Sequence, residues 1–81
     1  MTEAENSVIM EIFLTVFSEL NEATFSWESP QTEYENWDSF AHLRIVTEIE
    51  KRFEVKLDMD DVIYITNAKG FLELITKKNS E

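Results

Sequence analysis

Between residues 8 and 20 the apolar side chains come in pairs four residues apart: Val8 and Ile9, Ile12 and Phe13, Val16 and Phe17, then Leu20. That spacing lays a wide apolar stripe along one face of a helix, with Glu11 and Glu19 on the other. A helix is predicted over about residues 6–20, with Asn6 or Ser7 as its N-cap. The same period returns in Phe40, Leu43, Val46, Ile49 and Phe53, with Ile45 alongside. It predicts a second helix over 39–53 whose exposed side carries Arg44, Thr47, Glu48, Lys51 and Arg52.

The connection after Phe53, "EVKLD", reads as extended. "DMDDVIYI" then predicts a short helix over 58–65, with Asp58 as N-cap and Asp61 near the positive helix end. Thr66 or Asn67 caps a last helix over 67–77 that carries Ala68, Phe71, Leu72 and Ile75 and places Lys77 and Lys78 at its negative end. Gly70 falls inside this helix at a propensity cost of about 1 kcal/mol relative to Ala.

Residues 21–38, "NEATFSWESPQTEYENWD", lose the period and are rich in turn and cap formers. Phe25, Trp27, Tyr34 and Trp37 are spread through this loop. A connection this long in a small domain is functional or held down by its own side chains, and the aromatics predict that it lies across the helices. The expected fold class is all-α. It is a small four-helix bundle, three main helices plus one short one, with a long loop between helices one and two, in a single domain over 1–81.

Composition removes several classes of function. The chain has no cysteine, so a disulfide framework, a thiol nucleophile and a thiolate metal site are all absent. A lone His42 builds no histidine metal site, and no metal is expected. The apolar runs are too short for a membrane span. No basic segment precedes an apolar one at the N-terminus, so a cytoplasmic, soluble monomer is the expectation.

The formal charge is −10. Residues 1–38 hold nine acidic side chains and no Lys or Arg, whereas residues 39–81 hold eight acidic and seven basic ones. Such a surface repels phosphate backbones, which argues against nucleic acid, and steers basic partner surfaces toward itself.

Three candidate sites compete. Ser39 and His42 stand three residues apart on one helix face, as a nucleophile and base would. No glycine-flanked elbow or orienting acid accompanies them, and a surface histidine is the expected reading. "DMDD" at 58–61 lacks the glycine of a calcium loop, with Ile63 in its place and Val62 where an oxygen ligand belongs. There remains Ser39 in "WDSF". Asp38 or Ser39 caps the helix, worth about 1 kcal/mol. Alternatively, the Ser39 hydroxyl at a helix N-terminus is a place for a phosphodiester, since free amides and the helix dipole favour negative charge there.

Residues 37–75, "WDSFAHLRIVTEIEKRFEVKLDMDDVIYITNAKGFLELI", resemble the acyl carrier proteins. The features that carry the resemblance are "DSF" at the start of the second helix, "EIEKRF" at its end, then "VKL" and "ITNAKGFLELI". The resemblance implies that Ser39 accepts 4′-phosphopantetheine covalently from coenzyme A through a phosphopantetheinyl transferase. The arm then carries an acyl, or an aminoacyl, group as a thioester.

On this reading the chain is a non-catalytic carrier. Its partners are that transferase, an acyl-loading ligase or synthase, and acyl-accepting enzymes of a dedicated pathway. Asp38 caps the helix, Phe40 anchors the first turn in the core, and Trp37 fixes the incoming loop. Val46, Ile49, Ile65, Phe71 and Leu72 are candidate lining for a sheltered acyl chain, and equally an ordinary core.

The chain departs from the family in two ways. Phe40 replaces the usual Leu. Ala41 and Arg44 stand where acidic residues are expected, so that residues 39–53 hold two acidic and three basic side chains. Docking is therefore expected to involve Arg44 and Glu48 on the helix, with Glu28, Glu33, Glu35 and Asp38 on the loop supplying the negative field. The competing function is a small acidic helical adaptor in which Ser39 is only a cap.

Overall fold

A computed structural model describes residues 2–79, the side chains of 5–78 among them. The described chain is all-helical: α1 (Thr2–Val16), α2 (Ser39–Phe53), α3 (Met59–Val62) and α4 (Ala68–Asn79), with a 3-10 turn at Gln31–Glu33 inside the long loop. Helix α1 packs against both α2 and α4. The small four-helix bundle with a long first connection is the observed architecture.

The first helix is shifted relative to its apolar stripe. It begins at Thr2 and ends at Val16, so Asn6 and Ser7 lie inside it and neither is its N-cap. Glu5, in the first turn, suits the positive end of a helix, which can start before its first core residue. At the other end Phe17 still donates its N–H to Phe13 at 2.9 Å, but Leu20 bonds back to Phe17 at 3.0 Å and the helix is over. Phe17 stays buried because the loop comes to it, with Tyr34 and Trp37 at ring distances of 4.8 and 5.6 Å.

Phe13 is the hub of the core. Its ring meets Phe25, Tyr34, Trp37 and Phe71 edge-on at 5.5 to 6.3 Å, the arrangement that aligns a positive ring edge with a negative face. Three of those four aromatics come from the long loop, which is held down as its composition predicts. Backbone hydrogen bonds finish the attachment: Gln31 N–H donates to the Thr66 carbonyl at 2.7 Å and Lys69 N–H to the Trp27 carbonyl at 3.0 Å.

Helix α2 buries Ala41, Ile45, Val46 and Ile49. Phe40 is 79% exposed and Leu43 is exposed too, so Phe40 does not anchor the first turn in the core. Both the expected and the observed faces repeat at three and four residues. Helix α3 is too short to cover the Phe40–Leu43 side, so the helix turns its 41–45–49 face inward instead. Val46, Ile49 and Phe71 are buried core, while Ile65 and Leu72 pack partly against it.

The later boundaries shift, the last helix running Ala68–Asn79 where 67–77 was expected. The short helix occupies Met59–Val62 where 58–65 was expected, with Asp58 at its N-cap position but making no side-chain cap bond. In the last helix Asn67, not Thr66, caps, its Oδ1 accepting from Gly70 N–H at 2.8 Å. At the end of α2, Glu54 adopts the left-handed region (φ 54°, ψ 44°) and donates its N–H to Glu50, a position that glycine usually takes.

Candidate functional site

The hydroxyl in "WDSF" is not the cap. Asp38 has extended backbone and its Oδ1 accepts the Ala41 N–H at 2.9 Å, while its carbonyl accepts from His42 N–H at 2.9 Å. Asp38 thus performs both duties of an N-cap. Ser39 is the first helical residue, exposed, and its Oγ enters no hydrogen bond among the described residues. Its side chain is left available at the end of the helix where backbone N–H groups are unpaired and the local potential favours negative charge.

Beside Ser39 runs an open groove of about 310 Å³ lined by Gln31, Ser39, His42, Leu43, Met59 and Ile63. Its lining comes from α2, from α3 and its exit, and from Gln31 of the loop. Gln31 is fixed there because its Nε2 donates to the Trp37 carbonyl at 3.0 Å. The exposed large hydrophobics of the described chain, Phe40, Leu43, Met59, Ile63 and Tyr64, all belong to α2's first two turns or to α3 and its exit.

His42 is not a surface histidine. Trp37 Nε1–H donates to its Nδ1 at 3.0 Å, and its Nε2 lies 2.8 Å from the Val62 carbonyl oxygen. The ring stacks on Trp37 at 5.9 Å and leans on Phe71 at 5.6 Å. Both ring nitrogens are engaged, so neither is free to take a proton from Ser39. Sequence reasoning missed this role. The Trp-x4-His spacing was its signal, and only the folded loop reveals that the two rings meet.

The docking residues separate into two groups. Arg44 is exposed and Glu48 is tied up, with Lys51 and Arg52 each at 3.8 Å. Arg52 also reaches Glu11 of α1 at 2.7 Å, and that hydrogen bond raises its already high pKa further. Glu33 and Glu35 lie elsewhere, with Glu19, around a second cleft of about 220 Å³ that also includes Tyr34. The Tyr34 hydroxyl is buried without a partner among the described residues. Burial, and then the charge of Glu33, push its phenol above the ordinary value. Glu28 is exposed on the loop and lines neither cleft.

Among the described residues no cluster of His, Asp or Glu is gathered to hold a metal ion, and no helix is long and apolar enough to cross a membrane. Fold and site together define a small all-helical domain that presents an uncapped serine at the mouth of a groove with apolar walls. No family model, curated protein or solved structure matches the chain.

Proposed function

We propose that this chain is an acyl carrier protein, with 4′-phosphopantetheine attached to Ser39 Oγ. One observation carries the reading: Asp38 does the capping, so among the described residues the Ser39 hydroxyl makes no structural bond and stands exposed beside a groove. An adaptor in which Ser39 serves as the cap has no such role left for it. The resemblance of residues 37–75 to acyl carriers supports the same reading.

The residues present fit the group. Ser39 offers the attachment oxygen, and its own N–H and that of Phe40 are left unpaired by Asp38, whose side chain takes the Ala41 N–H and whose carbonyl takes that of His42. A phosphodiester there meets the favourable end of α2. Leu43, Met59 and Ile63 offer apolar walls beside it. When bound, the group supplies the thiol that this cysteine-free chain lacks, to hold an acyl or aminoacyl cargo as a thioester.

The chain itself contributes position and surface. It is a cytoplasmic, non-catalytic monomer in this reading, served by a phosphopantetheinyl transferase, a loading ligase or synthase and acyl-accepting enzymes. Glu33 and Glu35, on the acidic loop, supply the negative docking field that α2 lacks.

The test is intact mass after incubation with coenzyme A and a broad-specificity phosphopantetheinyl transferase, beside Ser39→Ala. Addition of one phosphopantetheine to the parent and none to the variant is expected. A folded parent that stays unmodified by this enzyme and by the host's own transferase refutes the assignment.

A further inference from the structure

Helix α3 forms one wall of the Ser39 groove, yet little fastens it. Among the described residues, apart from the local turn bond from Ile65 N–H to the Val62 carbonyl at 3.1 Å, one hydrogen bond joins residues 58–64 to the rest of the chain, that between His42 Nε2 and the same carbonyl at 2.8 Å. Val62 is also the one buried side chain of α3. Met59, Ile63 and Tyr64 are exposed. The flanks are tied separately, Leu57 N–H donating to the Glu50 carboxylate at 2.8 Å before it and the Thr66 carbonyl accepting from Gln31 N–H at 2.7 Å after it. Between those two ties the wall rests on Val62.

The imidazole that holds Val62 has no freedom of tautomer. Trp37 Nε1–H can only donate, so the Nδ1 facing it must be the bare, accepting nitrogen. The ring proton is therefore on Nε2, and Nε2–H donates to the Val62 carbonyl, which can only accept. Trp37, 6% exposed and packed on Phe13 and Tyr34, is itself immobilised by the core. The three groups form one directed chain, indole to imidazole to carbonyl, in which each bond strengthens the next. It runs from the loop, through Ser39's own helix, to the opposite wall.

We propose that His42 is the positioning residue of this site, a strut that fixes the spacing of α2 and α3 and so the width of the groove beside Ser39. It touches no reacting atom. It acts through Val62, and Trp37 keeps it in the one tautomer able to do so. Only the part about Ser39's reaction rests on the proposed carrier function; the strut itself is a property of the fold.

The experiment compares the parent with His42→Leu, which keeps apolar volume but has no donor, and His42→Gln, which restores a donor for Val62. Amide hydrogen exchange is read across the intact protein. In His42→Leu the amides of 61–65 are expected to exchange about tenfold faster, beyond any change in α1 and α4, and His42→Gln should recover most of that protection. A role in packing alone predicts the reverse order. In the parent, imidazole nitrogen NMR should show the proton on Nε2.

Transfer of phosphopantetheine to Ser39 supplies the second readout, with KM raised about fivefold in His42→Leu, kcat little changed, and Gln restoring KM. Unchanged exchange at 61–65, Gln no better than Leu, or a proton on Nδ1 overturns the strut, whether or not Ser39 is modified. A parent that shows the strut but takes no phosphopantetheine overturns the carrier function instead. Should His42→Leu fail to fold, Trp37→Phe removes the N–H that selects the tautomer, together with part of the buried ring volume, and exchange in α1 and α4 serves as the control for that loss of packing. Mixed tautomers with faster exchange at 61–65 are then expected, and a pure Nε2–H ring with parental exchange overturns the proposal.

Discussion

The division of labour between Asp38 and Ser39 can be measured with two alanine substitutions. Asp38→Ala removes the acceptor 2.9 Å from the Ala41 N–H. Ala41 is 8% exposed, so water replaces that acceptor poorly and the orphaned donor costs toward the upper part of the capping range, about 1–2 kcal/mol. Loss of the carboxylate from the positive helix end adds a few tenths at ordinary salt, about 0.3–1 kcal/mol at most. For a domain of this size that lowers Tm by roughly 4–8 °C per kcal/mol. Asp38→Asn, which keeps an acceptor, should recover most of it.

Ser39→Ala removes a hydroxyl that bonds none of the described residues and puts a better helix former at the first helical position, so its expected change is within about 0.5 kcal/mol of zero. Urea unfolding followed by circular dichroism, with equal m-values across the set, reads these differences directly. A Ser39→Ala variant destabilised by about 1 kcal/mol or more, beside a neutral Asp38→Ala, would refute the assignment of the cap to Asp38. It would also remove the observation on which the carrier function rests.

Other perturbations have equally definite outcomes. A Cβ at Gly70 would lie 2.8 Å from Ile65 Cγ2 and 3.3 Å from Asn67 Oδ1, so Gly70→Ala should destabilise by about 1 kcal/mol despite the gain in helix propensity. The same change made with Ile65→Ala should stabilise, and chemical denaturation of the double-mutant cycle decides between clash and propensity. Glu54→Gly relieves a left-handed residue at the end of α2 and should raise stability by about 0.5–1 kcal/mol, seen as a higher Tm.

The Tyr34 phenol, raised by burial and by Glu33, holds its proton more tightly folded than unfolded. Its stabilising contribution is complete below the ordinary tyrosine value and is lost as pH rises through the higher folded value. Stability should fall with alkaline pH less steeply in Tyr34→Phe, as followed by denaturation at a series of pH values. Reversing Glu33 and Glu35 to Lys should slow loading or modification by the cognate enzyme at low salt, and an unchanged initial rate would show that the loop is merely solvated.

What could be read from residues alone was periodic. The paired apolar spacing of 8–20 and the repeats at 40–53 and 68–75 demand helices whatever surrounds them, because 3.6 residues per turn is a local property of the backbone. Asp38 before a helical run, Lys77 and Lys78 at the close of the last helix, and the aromatic content of the loop were legible for the same reason. The candidate serine was legible too, as chemistry at a helix start.

Tertiary structure decided what local rules leave degenerate. Phe40 and Leu43 fit the helical period as well as Ala41, Ile45 and Ile49 do, and only the absence of a partner over their side sends them to the surface. Gly70 looks like a flaw until Ile65 is folded against it. Asp38 and Ser39 are equally good caps on paper, and the extended backbone at Asp38 selects between them. His42 reads as a surface residue until the loop brings Trp37 to one ring nitrogen and α3 brings a carbonyl to the other. Each of these depends on which elements become neighbours. Contacts between segments distant in sequence leave no period in the chain, so they are settled by packing alone.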